Sequence, residues 1–375
     1  MYDPRISQYL QLLLHSDAQA RLKAVIGLEQ LVSSTGVIEE GGDFNSDLES
    51  LDSYKRRKLA AAGLTDPQVE GALCTALQDL AWEVRLSAAQ LLGQFYQATP
   101  SAIRALRLGL SDHNPKVREE SAKSLSRLLA DFQNVVSDLL IVARDSNLDT
   151  SLAAIDALGR LGQGRTDVLE DLLSLRSKNG NHRLQQAILD AFGNLSTDDP
   201  RAIQFVIQEL RENVYRACDA LRKIGPPAVS AVPDLLNLLK DNDSVSRDKA
   251  ASALGSIAPH LPEVVDALLD LLKDPSSCVR SSAARSLGCV EAPTLKIIEG
   301  LRAMLSHATE HGDSWEAEAA IEALGMFGPS ARGAEAEIKE FMRVIGNLVR
   351  DDDIYAYELA ERALEAIQLP PDHSA

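Results

Sequence analysis

One template recurs along the chain, and nothing else in the sequence restricts its fold as much. Residues 79–93 read DLAWEVRLSAAQLLG, 112–126 read DHNPKVREESAKSLS, 241–255 read DNDSVSRDKAASALG and 274–288 read DPSSCVRSSAARSLG. Each has an Asp, an Arg six residues later, small residues, a Leu and usually a Gly. Aligned on that last position (Gly93, Ser126, Gly159, Gly193, Arg222, Gly255, Gly288 and Gly325), the copies lie 33, 33, 34, 29, 33, 33 and 37 residues apart. A unit of this length without a strand signature is a pair of antiparallel helices. Such a pair buries its apolar stripe only against neighbouring copies, so the chain grows by stacking.

Within a unit the first helix reads like AVPDLLNLLKD (231–241) or EVVDALLDLLKD (263–274), with Leu at three- and four-residue spacing. In the second helix Val279, Ala283, Ala284 and Leu287 share a face, and the small pair lets neighbouring helices come close. The template Gly, or a Gly-Pro stop such as IGPPA (224–228) and FGPSA (327–331), is expected to break the second helix. The pairs Asp79/Arg85, Asp112/Arg118, Asp241/Arg247 and Asp274/Arg280 keep one offset, which predicts a ladder of hydrogen bonds between successive turns, with helix capping as part of the Asp role. Aromatics at only 4% and an apolar share of 45% dominated by Ala and Leu suit helix packed on helix.

The segments VRSSAARSLG (279–288) and IGPPAVSAVPDLLNLL (224–239) resemble the HEAT-repeat superfamily, particularly its short bacterial form, the phycobilisome-lyase HEAT-like repeat. The resemblance covers about 67–330 well, with weaker terminal units at 4–32 and 334–368. It implies an all-α, right-handed α-solenoid of about nine HEAT-like helix pairs. The expected organisation is an N-terminal capping repeat (1–32), an insertion (33–64), regular repeats (65–333) and a C-terminal capping repeat with a tail (334–375). For function the resemblance implies a non-catalytic protein-binding scaffold, adaptor or assembly factor. The alternative it leaves open is a lyase-like factor handling an open-chain tetrapyrrole for attachment to a phycobiliprotein. No motif specific to those lyases occurs, so no catalytic residue is assigned and no cofactor is expected.

A net charge of −17 and a pI near 4.9 argue against nucleic acid or anionic membranes as partners, since both draw affinity from Lys and Arg meeting phosphates. Cys74, Cys218, Cys278 and Cys289 form no CxxC pair and no metal spacing, which fits a reducing, cytoplasmic setting. In this reading Cys278 is small packing filler. The start, MYDPRISQYL, lacks the basic flank and apolar core of a signal peptide, and no run approaches the roughly 18 apolar residues of a membrane span.

Three segments depart from the template. Residues 33–64 begin acidic and Gly-rich, as a mobile loop would. From Asp47 on, Leu48, Leu51, Tyr54, Leu59 and Ala62 fit an amphipathic helix carrying Lys55, Arg56, Arg57 and Lys58. This is either an extra helix patching the end of the array or a partner-docking arm built on Tyr54, Lys55, Arg56, Arg57 and Lys58. HATEH (307–311) matches the H-x-x-E-H form of inverted zinc proteases, but its place in a widened turn without a third ligand favours a surface loop, and no metal is expected. GRLGQGRTD (159–167) lacks the strand and the Gly-Lys-Ser/Thr ending of a phosphate loop and reads as a helix stop.

If the second helices line the concave side, the positions two, five and nine after the Arg point into the groove. The candidate partner-binding residues there are Lys123, Arg127, Asp156, Arg160, Asp190, Arg216, Asp219, Lys223, Lys249 and Arg285. Across all eight copies that lining holds seven basic and five acidic residues and no aromatic, which suits a polar protein surface better than a flat cofactor.

Overall fold

A computed structural model of the chain describes residues 4–34, 67–94, 99–128, 135–162, 165–176, 181–346 and 353–369. Among the described residues the fold is all-α, with twenty α-helices in ten successive pairs, two short 3₁₀ segments and no strand. The chain divides into two compact units, Met1–Ala191 and Phe192–Ala375. In the first, α1 (Pro4–Leu12) pairs with α2 (Ala18–Ser34), α3 (Pro67–Ala76) with α4 (Trp82–Leu92), and α5 (Pro100–Gly109) with α6 (Pro115–Arg127). There too α7 (Val135–Val142) pairs with α8 (Leu148–Leu161), and α9 (Thr166–Arg176) with α10 (His182–Leu195), within which the division falls. In the second unit α11 (Pro200–Glu209) pairs with α12 (Val214–Ile224), α13 (Val232–Leu238) with α14 (Ser244–Ile257), and α15 (Pro262–Leu271) with α16 (Ser277–Gly288). Its last pairs are α17 (Leu295–His311) with α18 (Ser314–Met326) and α19 (Glu335–Ile345) with α20 (Asp353–Gln368).

Local sequence sets these boundaries. Pro opens α5, α6, α11 and α15, where its missing N–H costs nothing. The side chains of Thr99, Asn114, Asn147, Asp243 and Thr294 accept the first free backbone N–H groups of their helices. Inside, the predicted second-helix face is the core: Val279, Ala283, Ala284 and Leu287 are fully buried, as are Val84, Ala88, Ala89 and Leu92 in α4.

Of the template glycines Gly93 caps α4 as expected, but four others do not break their helices. Gly159, Gly193, Gly255 and Gly325 lie within α8, α10, α14 and α18. They are small because the next second helix crosses there: a Cβ on Gly159 would stand 2.7 Å from the Ala191 Cα. The helix stop in 159–167 is instead Gly162, which caps α8. The Gly-Pro segments do break the chain, since Gly225 and Gly328 take φ of 72° and 51° and lead into the two 3₁₀ segments.

The ladder is present and has one direction. The Arg85 guanidinium donates to the carbonyls of Asp79 and Leu80 in its own turn, and its Nε and Nη2 donate to both oxygens of Asp112, at 2.6 and 2.8 Å. Arg118 repeats this with Asp145, and Arg247 with Asp274. Arg21 reaches Asp79 with the same fork. Each of these aspartates also accepts the N–H two residues on, for example Asp112 from Asn114. The Asp thus lies two residues before the helix cap and is not the cap itself.

Candidate functional site

In each unit the second helices pack on their neighbours in the stack more extensively than the first helices do. The second-helix face is therefore the shortened side of the stack, and its outward residues form the candidate surface. In the first unit Lys123 pairs with Glu119 at 2.6 Å, Arg127 with the largely buried Glu120 at 3.0 Å, and Arg160 with Asp156 at 3.2 Å. In the second, Asp219 holds Arg222 and Lys223, and Lys223 also donates to Asn194. Lys249 pairs with Asp248 at 3.7 Å, and Arg285 with Glu322 at 3.1 Å. Asp190 and Arg216 are half-exposed, and neither is without a partner. Six of the seven candidate cations, Lys123, Arg127, Arg160, Lys223, Lys249 and Arg285, are thus paired with nearby acids. Tyr54, Lys55, Arg56, Arg57 and Lys58 lie outside the described residues.

The face is not free of aromatics. The outward register runs at four- and three-residue steps, as in Val245, Lys249, Ser252 and Ser256 of α14. One turn before the predicted lining it places Val245, Cys278 and Trp315 on α14, α16 and α18. Ala363 receives Gly325 as Ala323 receives Gly288, which puts Tyr355 of α20 in the same register. All four are exposed, Trp315 at 58% and Tyr355 at 59%. The corresponding residues of the first unit are Glu83, Lys116, Asp149 and Arg183. An apolar stripe therefore crosses four successive second helices of the second unit, where the first unit carries charge. Two cations flank it through rings: the Lys249 Nζ lies 4.8 Å from the Tyr215 ring centroid, and the Arg285 guanidinium 5.3 Å from that of Trp315. Sequence reasoning missed the stripe because it began the lining two residues after the Arg. The same register extended by one turn finds it.

Cys278 is not packing filler, since α16 turns Val279 inward and Cys278 outward. Cys289 is exposed too, Cys218 is buried, and burial pushes the Cys218 thiol up to about 12. HATEH is not a loop: it forms the last turns of α17, with the His307 and His311 rings stacked at 4.1 Å. Four extra residues in this repeat lengthen the helix rather than the turn. Among the described residues no group of three or more His, Cys, Asp or Glu is placed to hold a metal, and no helix is long and apolar enough to cross a membrane.

Stacked antiparallel helix pairs with an interlocking turn ladder define an α-solenoid. The solved structure of Kap121p bound to Pho4p shares this fold at a TM-score of 0.50 and 13% identity, aligning over 97% of this chain and 46% of that one, so the chain spans about half of Kap121p. The model of the HEAT-repeat family matches residues 69–140 and 211–288. An engineered protein is similar at 21% identity over 98% of this chain and 100% of its own, with a TM-score of 0.47. The complex of CpcE and CpcF of phycocyanin lyase from Nostoc sp. PCC7120 is similar at 20% identity over 64% of this chain and 95% of that one, with a TM-score of 0.40. No curated protein matches the sequence.

Proposed function

We propose that this chain is a non-catalytic scaffold or adaptor that holds another protein against the second-helix face. The observation that supports this most is the exposed stripe Val245, Cys278, Trp315 and Tyr355. Apolar side chains exposed in one register on successive helices suit an interaction site, and Trp and Tyr are the residues that concentrate binding energy. Beside it on the second unit Lys249, Arg285, Arg216, Asp219 and Lys223 form a polar rim, and the first unit's own second-helix face carries Lys123, Arg127, Asp156, Arg160 and Asp190. That rim fixes orientation more than it adds affinity. The similar solenoid Kap121p is bound to another protein, Pho4p. Four free cysteines suit a reducing compartment such as the cytoplasm.

The test is affinity capture from the source cells with the native chain and with Trp315→Ala/Tyr355→Ala, followed by titration of the purified partner. Both rings are exposed, so the double variant is expected to melt like the native chain while binding at least tenfold more weakly. Equal capture by the two chains would remove the stripe from the interface. A shifted visible spectrum on mixing with an open-chain tetrapyrrole would favour the bilin-handling alternative. Reversing rim cations such as Lys223 and Arg285 is a poorer test, because the Glu introduced would face an existing carboxylate.

A further inference from the structure

As a helix, HATEH sets two imidazoles side by side. The repeat of 37 rather than 33 residues gains about one turn, and that turn places His307 and His311 on one face at the end of α17. Both are exposed, and their rings lie within 22° of parallel with centroids 4.1 Å apart. The chain has seven histidines, and no other two stand four residues apart. The His311 Nδ1 lies 2.8 Å from the His307 carbonyl oxygen. A carbonyl can only accept, so Nδ1 carries the proton and donates it, and Nε2 keeps its lone pair. Metal-ligating histidines are held in this way, with one ring nitrogen bonded to a carbonyl and the other presented to the ion.

Two nitrogens bound to one Zn²⁺ at about 2.1 Å stand roughly 3.4 Å apart in tetrahedral geometry and at most about 4.2 Å apart. The two ring centroids already lie within that reach, so closing on an ion takes only a turn of two exposed rings about a soft torsion. The charges beside His307 cancel. In the hollow it shares with α15, Asp274 is held by the Arg247 fork and Arg280 by Glu316 of α18, which leaves the exposed Lys273 against the exposed Glu299. The Glu of the motif stands apart, since Glu310 lines a different hollow with Glu337 and Glu340 of α19. The pair is therefore arranged to hold an ion, with the residue that would serve as base turned to another helix.

We propose that His307 and His311 bind a divalent transition-metal ion through their Nε2 atoms, the remaining positions being left to water or an exchangeable outside ligand. Imidazole suits zinc, copper and nickel, whereas magnesium prefers oxygen ligands. The site does not rest on the protein-binding stripe. Its test titrates the untagged full chain, carbon-13 labelled in its histidine rings, with Zn²⁺ and separately with Mg²⁺. Zn²⁺ is expected to shift the His307 and His311 ring signals together and saturably, at lower concentration than any of the other histidines, and Mg²⁺ at the same concentration to shift neither. His311→Ala should weaken the response of His307 at least tenfold, and His307→Ala that of His311 likewise, because one imidazole alone does not chelate. Glu310→Gln should leave the affinity within twofold. Three results overturn the proposal. The first is no saturable shift of the pair in the native chain, a readout that needs no variant to fold. The second is an undiminished response of either ring once the other is removed, which would mean two isolated histidines. The third is a tenfold loss in Glu310→Gln, which would place the ion on the carboxylates facing α19.

Discussion

At the scale of residues the stack is tied by charge. The Arg118 fork holds the Asp145 carboxyl below the usual carboxylate range, and the Arg21 and Arg247 forks do the same for Asp79 and Asp274. A carboxylate depressed in the fold contributes stability above its unfolded value, about 3.9, and loses it as the pH falls through the depressed value. The urea midpoint is therefore expected to hold from pH 7 to about 5 and to drop as the pH falls below about 4 and through the depressed values. An Asp145→Asn variant should be less stable than the native chain at pH 6, with the gap closing as the pH falls below about 4. A constant gap across that range would show that the ion pair is not what the substitution removed. The Arg85–Asp112 and Arg247–Asp274 rungs were legible in the sequence because Asp and Arg keep one offset through four copies, whereas Arg21 and Asp145 lie outside those copies. The Arg280 rung was not, since Glu316 reaches it from a later helix and no fixed spacing announces that.

Helices meet through small residues. The register of Val279, Ala283, Ala284 and Leu287 was readable because burial of one face dictates it, but the role of the glycines was not. A Gly near a helix end reads as a stop, and only the crossing neighbour shows that it makes room. Two substitutions separate these roles. Gly159→Val drives a branched side chain into the Ala191 backbone and should cost about 2 kcal/mol or more in urea unfolding. Gly71, exposed in α3 with nothing within 4 Å of where a Cβ would stand, should tolerate Ala and gain about 0.5–1 kcal/mol from helix propensity. If Gly159→Val proved neutral, the second helices would have slack at their crossings. The aromatic stripe was hidden for a different reason: Trp315 and Tyr355 obey the helical register but occupy a position between the template's Asp and Arg where the residue type changes from copy to copy.

Over the whole chain the ladder runs in two tracts, from Arg21 to Asp145 in the first unit and from Arg247 to Glu316 in the second. Every arginine in a tract looks toward the next turn along, so each tract has a phase, and the phase is 33 residues wherever the template is regular. Excising residues 86–118 would join Arg85 to Glu119 within one helix and bring Arg85 to face Asp145. The shortened chain is expected to keep its helicity per residue and a cooperative melt, whereas excising 86–113 should break both. Circular dichroism through a thermal ramp decides between them, and equal loss in the two deletions would deny the ladder any part in setting the phase. Where the phase holds, an unequal crossover that adds or drops one period strands no arginine and opens no gap. Genes for such chains can lengthen and shorten by recombination without passing through a product that cannot fold.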